Sequence, residues 1–89
     1  MEEKQIKDLD IRLKRIEGQL RGIQNMLGEG KSTKAIITQL SAARSALDKV
    51  GFSLIANDLK NELAKNISGG GSSDQQDLKE TINLFMKLS

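Results

Sequence analysis

Apolar residues recur at alternating spacings of three and four along the first part of the chain. This heptad pattern predicts one long helix, about residues 4–28, with a continuous apolar stripe along one face. Such a stripe requires a partner helix to cover it. The helix is expected to end at Gly28-Glu29-Gly30, because glycine suits the left-handed conformation that closes a helix. The stripe consists of Ile6, Leu9, Leu13, Ile16, Leu20, Ile23 and Leu27.

A second and longer helix is predicted over about residues 32–66, and its apolar residues form two adjacent stripes. Either Ser32 or Thr33 can cap its N-terminus. A helix that is apolar on more than one side packs against several neighbours. The first stripe is Ile36, Leu40, Ala43, Leu47, Val50 and Leu54, and the second is Ile37, Phe52, Ile55, Leu59 and Leu63.

The C-terminal part of the chain predicts a linker and a short third helix. Residues 68–73 are all Gly or Ser, which is the composition of a flexible linker. Ser73 and Gln76 fit a capping box for a helix over about residues 74–88. A helix this short is stable only when it docks on the rest of the protein. Its apolar positions are Leu78, Ile82 and Phe85.

These elements predict a single all-α domain over residues 1–89. The chain has no Pro and only two aromatic residues, which favours helical packing over a sheet. A hairpin of two helices does not enclose a complete core, whereas two such hairpins form an antiparallel four-helix bundle. The sequence therefore predicts a dimer or a higher homo-oligomer.

Two glycines, Gly18 and Gly22, interrupt the first predicted helix. Each destabilises a helix interior by about 1 kcal/mol relative to Ala. Interior glycines four residues apart indicate that another group approaches the backbone closely, and a tightly packed neighbouring helix is the interpretation we favour.

Composition excludes several classes of function. The chain has neither Cys nor His, so disulfides, thiol chemistry and soft-ligand metal sites are ruled out. We expect no enzymatic activity, because no convincing arrangement of catalytic side chains is present. No cofactor is predicted. No apolar run approaches the ~20 residues that span a bilayer, so we expect a cytoplasmic protein without a membrane partner.

Basic residues on the first two helices are candidates for DNA binding. The net charge of +2 is too small to indicate nucleic acid by itself, and acidic residues such as Asp8, Asp10 and Glu17 are interleaved. A solvated charged face is therefore an open alternative, and Arg21 and Arg44 could also serve as structural ion-pair partners. The candidates are Arg12, Lys14, Arg15, Arg21, Arg44 and Lys49.

Two long motifs resemble the copper-sensing/nickel–cobalt-sensing repressor family (CsoR/RcnR). The first is RLKRIEGQLRGI at residues 12–23, and the second is TQLSAARSALDKVG at residues 38–51. The resemblance covers about residues 6–65 without gaps. It implies a transcriptional repressor that binds double-stranded operator DNA through basic surface residues, with Arg12 and Arg15 as the principal candidates. It also implies that two bundle dimers associate into a homotetramer.

The resemblance also shows where this chain departs from the family. Family sensors place a Cys at the start of the second helix, and a His and a Cys one turn apart near its end. The matching positions here are Thr33, Asp58 and Glu62. These oxygen-bearing side chains cannot bind Cu(I), which prefers thiolate or imidazole ligands.

Several interpretations of these three positions stay open. Asp58 and Glu62 lie four residues apart and share a helix face, so they could bind a hard cation with Thr33 from another chain. The pocket could instead take a small organic ligand or none. The simplest alternative is two exposed carboxylates beside Lys60 and Lys65. The leading hypothesis is thus a repressor with an unknown inducer, and the alternative is an oligomeric helical scaffold.

Overall fold

The computed structural model describes residues 1–67 and 74–88, and these form three helices. Helix α1 spans Glu3–Gly28, α2 spans Thr33–Ile67 and α3 spans Asp74–Leu88. No strand occurs within the described ranges, and the predicted all-α class is confirmed. The predicted linker at 68–73, including the Ser73 cap, lies outside the described residues.

The turn between α1 and α2 closes both helices with local hydrogen bonds. Gly30 has a φ of +68°, so it is this glycine, after the end of α1, that adopts the left-handed conformation. The Gly30 amide donates to the Leu27 carbonyl at 3.2 Å, and the Lys31 amide donates to the Met26 carbonyl at 3.0 Å. This pair of bonds is a Schellman motif. On the other side of the turn, the Ser32 hydroxyl accepts a hydrogen bond from the Ala35 amide at 3.1 Å, so Ser32 caps α2.

The chain divides into two compact units, Met1–Val50 and Gly51–Ser89. The boundary lies inside α2, which is a single helix of 35 residues. The prediction of a single domain over 1–89 stays a prediction. None of the helices within the described ranges is both long and apolar enough to cross a membrane.

In the first unit, the apolar stripe of α1 consists of two rows of residues, one facing α2 and one exposed to water. The inner row, Leu9, Ile16 and Ile23, faces α2, and Ile16 and Ile23 are buried. Within the first unit, the buried residues of α2 are Ala43 and Val50. The outer row of α1 is spaced by seven residues and stays exposed: Ile6 (54%), Leu13 (38%), Leu20 (46%) and Leu27 (62%).

Helix α2 has an exposed apolar row of its own, also spaced by seven residues. Leu40, Leu47 and Leu54 are each exposed by more than two fifths of their surface. Among the apolar positions of the α1 and α2 stripes, the buried residues are therefore Ile16, Ile23, Ala43 and Val50, and large apolar side chains of both helices are left in contact with water.

The interior glycines of α1 do not serve packing within the chain. A Cβ atom added to Gly18 or Gly22 would meet no atom within 4 Å. No helix in the described part of this chain packs tightly against these glycines, so the expectation of a close neighbouring helix stays a prediction about a second copy.

In the second unit, the Phe85 ring of α3 packs against Gly51 of α2. A Cβ atom on Gly51 would lie 2.7 Å from Cε1 and 3.0 Å from Cδ1 of Phe85. Distances below 3.0 Å are sterically forbidden, so the ring of α3 occupies the space that any other residue at position 51 would fill. This contact docks α3 on α2. A helix as short as α3 requires such docking for its stability.

Candidate nucleic-acid interface

Three basic side chains converge on a groove between α1 and α2 in the first unit. On α1, Arg12, Arg15 and Gln19 follow one another at helical spacings of three and four, so they share a face. Helix α2 contributes a further cation from the opposite wall. The groove has a volume of about 330 Å³ and is lined by Arg12, Arg15, Ile16, Gln19, Ala46 and Lys49.

The groove combines a cationic rim with an apolar floor. Arg12, Arg15 and Lys49 are exposed at the rim. Arg12 and Lys49 also take part in interactions within the chain. Ile16 is buried and Ala46 is half-buried below them. Cations arranged in this way suit phosphate groups, because guanidinium and ammonium groups donate charge-assisted hydrogen bonds to phosphate oxygens.

The other basic candidates lie outside this groove. Lys14 forms an ion pair with Asp10 at 3.1 Å, and both side chains are largely exposed. An exposed pair of this kind contributes little to stability, but it partly neutralises Lys14. Arg21 and Arg44 are exposed as well. The structure therefore groups three of the six predicted cations and leaves the other three apart.

A second, polar pocket lies between α2 and α3 in the second unit. It has a volume of about 180 Å³, and three of its lining residues carry carboxylates. Glu62 is only 7% exposed, and it takes part in an interaction within the chain. The interpretation of Asp58 and Glu62 as two exposed carboxylates is therefore wrong for Glu62 and holds for Asp58. The lining residues are Asp58, Asn61, Glu62, Lys65, Asp77 and Leu78.

Thr33, Asp58 and Glu62, the positions that the resemblance aligns with sensor residues, differ in their surroundings. Asp58 and Glu62 line the same polar pocket. Thr33 belongs to the first unit, where it is the first residue of α2 and is exposed. Across residues 1–67 and 74–88, no three His, Cys, Asp or Glu side chains are grouped as metal ligands.

The family model for metal-sensitive transcriptional repressors matches residues 5–87. The chain belongs to that family. Metal-sensitive repressors are regulators of transcription, so the prediction that this chain is not an enzyme is confirmed, as is the resemblance found from the two motifs.

Two curated members of the repressor family are similar over most of the chain. The copper-sensing transcriptional repressor CsoR of Bacillus subtilis is 36% identical over 78 residues, which cover 88% of this chain and 75% of the relative. The copper-sensing transcriptional repressor RicR of Mycobacterium tuberculosis is 38% identical over 77 residues, which cover 86% of this chain and 80% of the relative.

A solved structure of the same family extends the likeness to three dimensions. The copper-sensing repressor CsoR with Cu(I) from Geobacillus thermodenitrificans superposes with a TM-score of 0.84 at 34% sequence identity. The match covers 97% of this chain and 91% of the other. The chain therefore shares its fold with this copper-sensing repressor.

Sequence reasoning did not find every residue that lines the two sites. The sequence pattern places Ile16 in the apolar stripe and does not show that it also forms the floor of the groove. Gln19, seven residues after Arg12, was detectable from its heptad position. Ala46 gave no signal, because its role depends on how α2 is aligned with α1. Asp77 gave none either, because the linker at 68–73 leaves the alignment of α3 on α2 undetermined by sequence.

Proposed function

We propose that this chain is a transcriptional repressor that binds operator DNA through the groove between α1 and α2. The observation that carries the proposal is the convergence of Arg12, Arg15 and Lys49 on one groove of the first unit. Contacts from such cations to phosphates supply affinity and position the protein, but they read little sequence. Lys14, Arg21 and Arg44 would contribute to the field around this face without lining the groove.

The exposed outer rows of α1 and α2 support a homo-oligomer as the DNA-binding form. Leu20 of α1 and Leu47 of α2 each stand in a row with a seven-residue period. Two copies that face one another with these rows would form an antiparallel four-helix bundle. We further propose that two such dimers associate, as the family resemblance implies.

The input to this repressor is proposed to differ from that of its copper-sensing relatives. Thr33, Asp58 and Glu62 offer hydroxyl and carboxylate oxygens, and this donor set does not fit Cu(I). A hard cation would accept carboxylate ligands, and a small organic ligand could use the polar pocket around Glu62. Thermal melts with EDTA, and then with Mg²⁺, Ca²⁺ or Mn²⁺, separate these inputs. A cation that binds the folded state must raise the melting temperature, so a melting temperature that no cation changes argues against a metal input.

DNA binding is tested by fluorescence anisotropy with labelled duplexes from the region upstream of the protein's own gene. Arg15→Ala is expected to weaken binding by about tenfold or more, because one charge-assisted contact to phosphate is lost. Lys60→Ala is the matched control, since Lys60 is an exposed cation of the second unit that lines neither site. Affinity should also fall steeply as salt rises, because each neutralised phosphate releases counterions.

The measured mass of the assembly separates loss of DNA contact from loss of structure. Arg15→Ala should keep the oligomeric state of the parent protein, because Arg15 belongs to neither exposed row. An intact oligomer that binds none of the duplexes at low salt would reject the repressor and leave the helical scaffold as the function.

A further inference from the structure

The floor of the groove has a chemistry that DNA phosphates do not use. Ile16 and Ala46 present aliphatic carbon between the two walls, whereas phosphate oxygens interact only with the cations of the rim. A ligand that used both parts of the groove would carry a negative charge on an apolar body. Small-molecule sites commonly combine an apolar lining with a few polar groups, in volumes of about 300–1,000 Å³.

We propose that the groove binds a small organic anion with an apolar body. We further propose that such an anion competes with DNA for Arg12 and Arg15. The first part stands on the groove alone, and the second rests on the proposed DNA-binding function. Together they provide a route of induction that needs no Cys, no His and no metal.

The charge of the ligand follows from the lining residues. Three of the six carry a positive charge and none carries a negative one. Arg12 and Arg15 present planar guanidinium groups, which bind a carboxylate or sulfonate through paired hydrogen bonds. The Gln19 amide can donate to the ligand or accept from it. The polar pocket of the second unit has the opposite character, since Asp58, Glu62 and Asp77 would repel an anion.

The register of α1 keeps the groove accessible in an oligomer. Ile16 belongs to the buried inner row. The residues on one side of that row belong to the exposed outer row, and those on the other side line the groove. Leu13 and Leu20, at i−3 and i+4 from Ile16, belong to the outer row that a second copy would cover. Arg12 and Gln19, at i−4 and i+3, lie on the other side and line the groove. A ligand can therefore enter without displacing the partner.

The test uses 2-naphthalenesulfonate, whose own fluorescence is easily followed because the chain contains neither Trp nor Tyr. Two control probes each carry one of the two proposed features, the negative charge or the apolar ring system, and we call them half probes. Methanesulfonate has the charge without the ring system, and 2-naphthalenemethanol has the ring system without the charge. We expect saturable binding of 2-naphthalenesulfonate that is at least about tenfold tighter than that of either half probe. Equal affinity for one half probe would overturn the proposed combination of charge and apolar body.

Variants locate the probe on the protein. Arg15→Gln removes one cation from the rim, and Ala46→Leu fills the floor while keeping all charges. Each should weaken binding by about fivefold or more, since each removes one of the two interactions. Lys60→Gln is the control and should bind as the parent does. Circular dichroism confirms that each variant is folded. Unchanged affinity in both groove variants would place the probe elsewhere, for example on the exposed outer rows, and would overturn the proposal.

Competition is measured on the protein–DNA complex. Addition of 2-naphthalenesulfonate should release labelled DNA, whereas methanesulfonate at the same ionic strength should release much less. Probe binding without release of DNA would overturn the competition and leave the anion site standing. Failure of the protein to bind any DNA would reject the proposed function instead, because the direct titration of the probe does not depend on DNA.

Discussion

Gly51 shows how one absent side chain determines the position of α3. A Cβ atom added to Gly51 would lie 2.7 Å from Cε1 of the Phe85 ring, which is closer than van der Waals contact allows. Alanine is the better helix former by about 1 kcal/mol, so helix propensity alone would favour it at this position. The close contact reverses that preference, because the ring has to move or the helices have to separate.

Gly51→Ala is therefore expected to destabilise the protein by about 1–3 kcal/mol, the usual range for an overpacked contact. Urea unfolding followed by circular dichroism measures the change. Phe85→Ala removes the ring, and in that background Gly51→Ala should become neutral or stabilising. A parent protein that gains stability from Gly51→Ala would contradict the contact.

Gly18 and Gly22 are expected to respond in the opposite way. Apart from the adjoining backbone of α1, a Cβ atom added to either would meet no atom of the described residues within 4 Å, and neither glycine has a positive φ. Gly18→Ala and Gly22→Ala should each stabilise the protein by about 0.5–1 kcal/mol, because alanine loses less conformational entropy in a helix. Thermal melts provide the measurement. Gly30→Ala is the contrasting variant and should destabilise, because Gly30 has a φ of +68°.

Loss of stability on substitution at position 18 or 22 would mean that a second copy packs against these glycines. If these substitutions raise the stability of the protein and weaken its DNA binding, then DNA lies close to the two glycines. A gain in stability with unchanged DNA binding would mean that these glycines contact neither a second copy nor DNA.

At the scale of the helices, the sequence determined where each element begins and ends. The bounds of α1 and α2 differ by one residue from those expected, because Ser32 and the glycines before it are local signals. The all-α class followed from periodicity. Periodicity did not tell which half of the α1 stripe is buried, since Ile16 and Leu20 look equivalent in a heptad and differ only in what they face.

The sites were harder to predict than the helices for the same reason. Arg12 and Arg15 were found because a family motif contains them. Ala46 and Asp77 became visible only once two helices were aligned in three dimensions. Local sequence therefore specifies elements, whereas a site assembled from two helices depends on the alignment between them, which Gly51 and the buried rows set.

The start of α2 gives a prediction at the scale of one element. Ser32 accepts a hydrogen bond from the Ala35 amide and satisfies a donor that the helix leaves free. Ser32→Ala should reduce stability by about 1 kcal/mol, measured as a lower midpoint of urea unfolding. Thr33→Ala is the neighbouring control and should have a smaller effect, because Thr33 is already inside the helix. A larger loss from Thr33→Ala would reverse the assignment of the cap.

At the scale of the whole molecule, the exposed apolar rows are the dominant feature. Monomeric proteins rarely expose contiguous apolar patches, and extended ones mark interaction surfaces. Each row repeats every seven residues, which matches the period at which helices pack in a bundle. A chain of 89 residues also buries only a modest share of its surface, so association with a second copy would enlarge its core.

Leu20→Glu is expected to dissociate the assembly, because it places a charge in the middle of the surface that a second copy would cover. Burial of an unpaired charge is strongly unfavourable, so the oligomer should be weakened by several kcal/mol. Analytical ultracentrifugation measures the mass, and the melting temperature of the parent should rise with protein concentration. Ile11→Glu is a matched control, since Ile11 is 49% exposed, close to the 46% of Leu20, and stands outside the outer row. If Leu20→Glu keeps the parent mass while Ile11→Glu loses it, then the second copy binds another face of α1, and the proposed four-helix arrangement is wrong.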